Sequence, residues 1–438
     1  MNILFYTAFE VSPEKGGTER ITASVAETLQ RDFGHKCFSM YSVPIDPKFR
    51  RAPFYARYKL GDSRVKKNRY DLHRFIKEKN IDVIINQGAF EFCKTLKEIT
   101  ADLPNVRIIL CHHFQPGWEE HFGRIKSIVH KPKDFIDCLR ICWRLSKYPY
   151  QKLTKVRRNK EQYRIGYQYA DRVVLLSTNF IPEFLEYAGI YDKNKFMVVH
   201  NVLSFDAFFD IKQYTKKRKE VLIVSRLDET QKRLSLAIRI WAFIEADHEL
   251  DDWTLKIVGH GVDEQMYRKL AASLHLKRLS FEGAQQSQPY YEQASIFMMT
   301  SKSEGWGLTL TEAQQMGCVP IAFDTYASLH DILTDGENGL IITEGDLSMY
   351  FNKMKQLMLN GNMRKDMAAR AIESSHRFDQ PTIGKQWNMF FNNVDTNELS
   401  TNVKGGGKTR TFNFNYCTCL QGREIFAALH RQSVTTNL

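Results

Sequence analysis

Two glutamates eight residues apart carry the most chemical information in this 438-residue chain. Glu304 and Glu312 flank the core of SKSEGWGLTLTEAQQM, a glycine loop set between a buried run, IFMMT, and a helical pattern that Gly317 stops. A strand that feeds a glycine loop and a helix start presents unpaired backbone N–H groups to an anion. Gly305 and Gly307 let a phosphate approach the backbone closely, and Leu308 opens the helix on the same substrate side. Glu304 falls on the loop and Glu312 in the early turns of the helix. A carboxylate accepts two vicinal hydroxyls well, so the pair suits a sugar hydroxyl on one side and a ribose on the other. The helix dipole alone would favour an acidic residue near Glu312; the strand–loop–helix context is what favours a ligand.

Cations follow the same logic. In VSRLDETQKRLSLAIRIW (224–241) a strand ends at Ser225 and a helix is expected to begin near Lys232. Arg226 and Lys232 would then point into one cleft, where two cations neutralise a diphosphate leaving group. Arg233 competes with Lys232 for the second position; we take Lys232. Gly16 and Gly17, in GGTER, form a loop after the first strand whose backbone can approach a phosphate or an acceptor, with Thr18 expected as N-cap of the next helix. His112 and His113 stand at the carboxyl end of the strand VRIILC. A metal site of His112, His113 and His121 has poor ligand spacing.

These residues need elements to hold them. Apolar, β-rich runs at 2–6, 37–43, 81–86, 106–111, 172–177 and 196–200 alternate with helical patterns. A second series lies at 221–225, 254–258, 295–299, 318–323 and 339–342. Continuous apolar strands separated by helices predict parallel sheets covered on both faces. The fold class is therefore α/β, with two Rossmann-like doubly wound sheets facing each other across a cleft. Ligands bind such sheets at the carboxyl ends of the strands. The expected division is residues 1–203 as a first, acceptor-side domain with a basic helical insertion at about 124–168, then a linker at 204–219. A nucleotide-sugar domain follows at 220–378, a terminal helix crossing back at 379–396, and a disordered tail at 397–438.

At EGWGLTLTE the resemblance becomes specific. It resembles the E-x7-E element of retaining glycosyltransferases with the two-domain GT-B fold, and AQQMGCVPIAFD and PYYEQASIFMMTS resemble the flanking segments of glycosyltransferase family 4. VSRLDETQK is similar to that family's G-R-L-x(n)-K element, with Ser225 in place of glycine and one extra residue of spacing. GGTER resembles its N-terminal glycine loop, and KIVGHGVDE its G-x-G turn. The resemblance covers roughly residues 1–395. It implies that Glu304 contacts the donor sugar and Glu312 the nucleotide ribose, and that His113, or else His112, reaches the donor sugar. It further implies that Gly259 and Gly261 bring the backbone close to the nucleotide. It implies metal-independent catalysis with no cofactor beyond a nucleotide-sugar co-substrate, and front-face attack assisted by the leaving phosphate. The expected reaction is retaining transfer of a sugar to a hydroxyl of a glycan or lipid-linked acceptor, in cell-envelope polysaccharide synthesis. Two alternatives are a nucleotide-sugar epimerase of the same fold and a non-catalytic sugar-nucleotide-binding protein.

Composition bounds the remaining choices. Hydrophobic residues make up 43% and charged residues 26%, which excludes wholesale disorder. No apolar run is long enough to span a bilayer, and MNILFYTAF lacks the features of a signal peptide. Eight scattered cysteines form no C-x-x-C pair, which argues against zinc ribbons and a disulfide framework. The net charge of +12 is local: residues 124–172 hold 14 basic and 4 acidic side chains. Phe135, Leu139, Cys142 and Trp143 are interleaved there at helical spacing. That pattern reads either as a surface for an anionic membrane or as a solvated helical insertion. Nucleic acid is not expected as a partner, because no recognisable binding motif accompanies the charge. A cytoplasmic protein, peripheral on the inner membrane face, is the expectation.

Overall fold

A computed structural model describes residues 1–14, 16–121 and 135–392. The tail at 397–438 and the start of the basic segment lie outside the described residues.

The first sheet has seven parallel strands: β1 (Asn2–Phe9), β2 (Lys36–Val43), β3 (Ala56–Lys59), β4 (Val83–Gln87), β5 (Arg107–Cys111), β6 (Arg172–Leu175) and β7 (Phe196–Val198), in the order β3-β2-β1-β4-β5-β6-β7. The second has six: β8 (Arg218–Val224), β9 (Thr254–Val258), β10 (Leu279–Gly283), β11 (Ala294–Met299), β12 (Val319–Asp324) and β13 (Leu340–Thr343), in the order β10-β9-β8-β11-β12-β13. All pairings are parallel, with Phe5 opposite Ile85 and Phe297 opposite Leu222 at the two centres. Helices cover both faces, so the central strands are apolar throughout; every residue of β11 is buried. In each sheet the strand order reverses next to the first strand, β1/β4 and β8/β11. The loops leaving those strands on either side of a reversal diverge and leave a crevice between them. Both sheets belong to one compact unit, Met1–Asn392.

Two strands have no counterpart in the sequence reading. β3 and β10 are the outer edges of their sheets, and no residue of either is fully buried. An edge strand half in solvent carries no continuous apolar run, so ARYK and LSFEG gave no signal.

The halves are tied together along their length. Within the expected linker, Gln315 Nε2 donates to the carbonyls of Phe205 (2.6 Å) and Ala207 (3.1 Å), and a 3-10 turn runs over Ile211–Lys216 before β8 begins. Leu203 N–H donates to the Phe378 carbonyl at 2.9 Å. His200 stacks on Trp306 with ring centroids 4.8 Å apart, and Phe378 meets that tryptophan edge-on at 5.1 Å. The Gln380–Asn392 helix lies against the Gly17–Phe33 helix of the first half, where a β-carbon at Gly384 would stand 2.5 Å from Thr28 Cγ2. Gly384→Leu should force these helices apart at a cost of about 1–3 kcal/mol. The urea midpoint would fall accordingly; an unchanged midpoint would show that the crossing helix adds no stability.

Candidate active site

The carboxyl ends of both sheets open onto one cavity of about 700 Å³. Its walls come from loops after β1, β5 and β7 in the first half and after β8 and β11 in the second.

Two helix N-termini meet in this cavity, and neither is capped by a side chain. The Gly17–Phe33 helix has Gly16 as N-cap with no side-chain hydrogen bond. Thr18 lies inside the first turn, so the expected Thr18 cap is corrected: glycine at this position leaves the terminal N–H groups open toward the cavity. The Leu308–Gln315 helix begins after Gly307, whose φ of +92° is costly for any residue with a β-carbon. It too has no side-chain cap. Gly16, Gly17, Gly307 and Leu308 all line the cavity. Open amides and two dipole ends of the same sign, facing one space, select for an anion.

The charged side chains that line the cavity are Glu19, Arg20, Arg226, Lys232 and Glu304; Glu312 is not among the lining residues and lies behind them. Arg226 lines the cavity, exposed, with its guanidinium on Gln231 Oε1 at 2.8 Å. Lys232 lies two residues before the Leu234–Glu245 helix rather than at its start, and its ammonium meets Glu304 Oε1 at 2.5 Å. Arg233 turns away from the cavity. It adopts a left-handed conformation, donates to the carbonyls of Thr300 (3.1 Å) and Ser301 (3.3 Å), and pairs with Glu344 at 2.6 Å. Of these two neighbours, Lys232 alone lines the cavity. Glu304 and Glu312 are both buried, at 9% and 2% exposure. Glu312 is held by Arg20 of the first half, Nη2 to Oε1 at 2.8 Å.

The adjacent histidines separate cleanly. His112 belongs to the core: its ring lies 5.2 Å from Phe90, and its Nε2 shares a hydrogen bond with Tyr163 Oη at 3.1 Å. His113 lines the cavity and hydrogen-bonds Gln87 Oε1 through Nε2. Burial pushes the His112 pKa down to about 3, with the neighbouring His113 adding to the shift, and that of His113 to about 4. Both rings are therefore neutral near pH 7.

The glycines divide by what fills the space of their missing side chains. A β-carbon on Gly305 would lie 1.9 Å from the His113 carbonyl oxygen, so glycine here lets the two halves touch. Gly17 plays the same part against Leu308. Gly259 and Gly261 are not among the residues that line the cavity. Their β-carbons would fall 1.9 Å from the Ser225 carbonyl and 2.4 Å from that of Leu227, so they let β9 approach the loop that carries Arg226. The family resemblance implied nucleotide contact there; the close partner in the structure is the chain's own backbone.

Sequence reasoning missed Arg20, Asn201, Gln231, Phe114, Trp118 and Trp306, all of which line the cavity. Arg20 had a signal, since it follows Gly16 by one helical turn and so shares its face. The aromatic pair had none, because its loop has no periodicity.

Similarity to known proteins agrees with this geometry. Residues 204–374 match the family Glycosyl transferases group 1. The amylovoran biosynthesis glycosyltransferase AmsD of Erwinia amylovora is 25% identical over 231 residues, 52% of this chain and 63% of that protein, so the match spans less than two thirds of that relative. An uncharacterized glycosyltransferase of Haemophilus influenzae is 23% identical over 383 residues, 85% of this chain and 95% of its own length. The structure of HepE from Anabaena, in complex with UDP and glucose, superposes with a TM-score of 0.63 at 18% identity, covering 90% of this chain and 99% of that one. The fold is the GT-B fold of these glycosyltransferases.

Two outcomes follow. Gly305→Ala should push the halves apart, lowering thermal stability and raising the radius of gyration in solution; an unchanged radius would show that the His113 contact does not set closure. For His112, the folded pKa lies below the unfolded value of about 6.5. The unfolded chain therefore binds the proton first as pH falls. Stability is full above about pH 6.5 and is lost toward pH 3, by about 1.4 kcal/mol per pH unit for one such group. In His112→Phe, the fall in urea midpoint between pH 7.5 and 5 should be clearly smaller than in the wild type. Equal falls would show that His112 is not the group titrating.

Proposed function

We propose that this chain, whose residues 204–374 belong to the glycosyl transferases group 1 family and whose two sheets form a GT-B fold, is a retaining glycosyltransferase. It moves a sugar from a nucleotide-diphosphate sugar to a hydroxyl of a glycan or lipid-linked acceptor, in the building of cell-envelope polysaccharide. The observation that carries this reading is the meeting of two uncapped helix N-termini, Arg226, Lys232 and the buried Glu304 in one cavity, with Glu312 held behind it by the cavity-lining Arg20. Nucleoside diphosphates present that same series of groups: two phosphates for the amides and cations, then vicinal ribose hydroxyls for Glu312.

In this reading the diphosphate lies between the helix ends, with Arg226 and Lys232 offsetting charge as it leaves. Glu304 accepts from hydroxyls of the donor sugar, and neutral His113, held by Gln87, faces the same ring. The anomeric C–O bond to the diphosphate breaks while the acceptor oxygen bonds the anomeric carbon on the same face. The departing phosphate oxygen takes the acceptor's proton. No protein carboxylate attacks the sugar, and the cations do the electrostatic work a metal would do elsewhere. The reaction is accordingly metal-independent.

The proposed place of action is the cytoplasmic face of a membrane, which the enzyme would meet peripherally. Among the described residues no helix is long and apolar enough to cross a bilayer. The Phe135–Tyr169 helix nevertheless leaves Leu139, Trp143, Tyr150 and Leu153 largely exposed. At about 100° per residue these four fall within an arc of about 80°. Lys147 sits 3.8 Å over the Trp143 ring, and Arg144, Lys152, Lys155, Arg157 and Arg158 follow on the same helix. An apolar stripe among cations fits an anionic bilayer surface.

Thermal unfolding with UDP, ADP, GDP and their sugars should show stabilisation by one base class. EDTA should leave it intact, and Glu312→Ala and Arg226→Ala should weaken it at least about tenfold, or 1.4 kcal/mol. No stabilisation, or a requirement for a divalent ion, would overturn the reading. In co-sedimentation, vesicles with phosphatidylglycerol should retain the protein and phosphatidylcholine vesicles should not. Trp143→Glu with Leu153→Glu should release it; retention of that variant would remove the stripe from the account.

A further inference from the structure

Two aromatic side chains of the cavity have no place in the proposed donor site. Phe114 and Trp118, on the loop after β5, stack with ring centroids 4.2 Å apart and planes 22° from parallel. Phe114 is 39% exposed, so its ring face is open to a ligand. Both rings line the main cavity, and both also line a small annex to it with Gln231, Ser303, Glu304 and Gly305. The annex is bounded by neither Glu312, Arg20 nor the Gly16–Gly17 loop. The aromatic pair therefore stands at the Glu304 end of the cavity, away from the residues assigned to the ribose.

The loop that carries the pair is firmly held. Gly117 takes a left-handed φ of +78°, and its N–H donates to Tyr163 Oη at 3.1 Å. The same hydroxyl lies 3.1 Å from His112 Nε2 and donates to the Glu119 carboxylate, with Oε2 at 3.1 Å. Tyr163, at 1% exposure, thus fixes both sides of Trp118 from within the core. A rigid aromatic face loses little entropy on binding.

The geometry points to an acceptor subsite for a pyranose ring on this aromatic pair. The inference rests on the proposed transfer reaction and narrows its acceptor. A pyranose offers one face of axial C–H groups, which covers an aromatic ring, and an equatorial rim of hydroxyls. Laid on the pair, the ring's rim meets Gln231 and Ser303, with one hydroxyl directed toward Glu304 and the donor end. A serine side chain, a glycerol phosphate or another small acyclic hydroxyl has no such face. The acceptor class is therefore a saccharide, whether free or at the end of a lipid carrier.

The test uses the full chain loaded with whichever of UDP, ADP or GDP stabilises it. Saturation-transfer NMR is recorded with methyl glucopyranoside, methyl galactopyranoside, methyl N-acetylglucosaminide and glycerol 1-phosphate, each at millimolar concentration. At least one pyranoside should receive saturation on the hydrogens of one face, and glycerol phosphate none. Trp118→Ala should lower that pyranoside's affinity at least tenfold, and Trp118→Phe should restore most of it, while both bind the nucleotide like the wild type. A polyprenyl-diphosphate monosaccharide in detergent separates the sources: competition for the signal supports a lipid-borne sugar, and its absence supports a free one. If the nucleotide binds and no pyranoside does, or if Trp118→Ala leaves pyranoside affinity unchanged, the subsite is overturned and the donor site stands. If Trp118→Ala instead weakens the nucleotide, the pair holds the base and the subsite is likewise overturned. If no nucleotide binds, the transfer reading itself fails.

Discussion

The ion pair between Arg20 and Glu312 is the constraint on which the rest of the site depends. Glu312 is buried at 2% exposure on a helix of the second half, and its charged partner arrives from the first. Desolvating a carboxylate costs several kcal/mol, which a single pair in good geometry roughly offsets. The pair is therefore poor evidence for stability and good evidence for register. Only one placement of the halves brings Arg20 to Glu312. That placement also sets Gly17 against Leu308 and Gly305 against the His113 carbonyl. Once those contacts are made, the two open helix ends share a cavity.

Small residues then decide how near the halves come. At Gly305 and Gly17 the missing side chain makes room for the opposite half, not for a ligand. At Gly307 the backbone conformation itself demands glycine. At Gly259 and Gly261 the room is taken by the loop bearing Arg226. The catalytic-looking glycines thus serve close approach of chain to chain, and the anion site arises from what that approach exposes. A fold of this kind gains its polar cavity from packing within each half and touching contacts between halves.

The sheets were legible because central parallel strands must be apolar on both faces, and runs such as IFMMT and VRIIL cannot be hidden. The edges β3 and β10 were not, since half-exposed strands need no such run. That Glu304, Arg226 and Lys232 would come to one cavity was legible from spacing across strand–loop–helix junctions, which is local information, whereas Glu312 lies behind the cavity wall on Arg20. The choice between His112 and His113 was not, because it turns on the register of β5 against Phe90 and Tyr163, residues distant in sequence. Arg20 and the Phe114–Trp118 stack escaped for the same reason: their meaning lies in what the other half or another loop brings to them. Thr18 was misjudged by a preference for hydroxyl caps; the helix starts earlier than that preference implied, with Gly16 as an N-cap that has no side chain to bond the first amides.

Two ion pairs already hold charges of the cavity and its wall, and this shapes how the proposed donor would enter. Lys232 rests on Glu304 and Arg20 on Glu312, so neither cation nor carboxylate is left alone in a partly desolvated space. A diphosphate brings its own negative charge, and Lys232 can exchange Glu304 for a phosphate oxygen without either state holding an unpaired ammonium. In the proposed reaction Glu304, released from the cation, would have both oxygens available for hydroxyls of the donor sugar. In the proposed reaction the two motifs, read separately in the sequence as a carboxylate pair and a cation pair, would work as one exchange. The partner each gives up on binding is the one that kept the other ready.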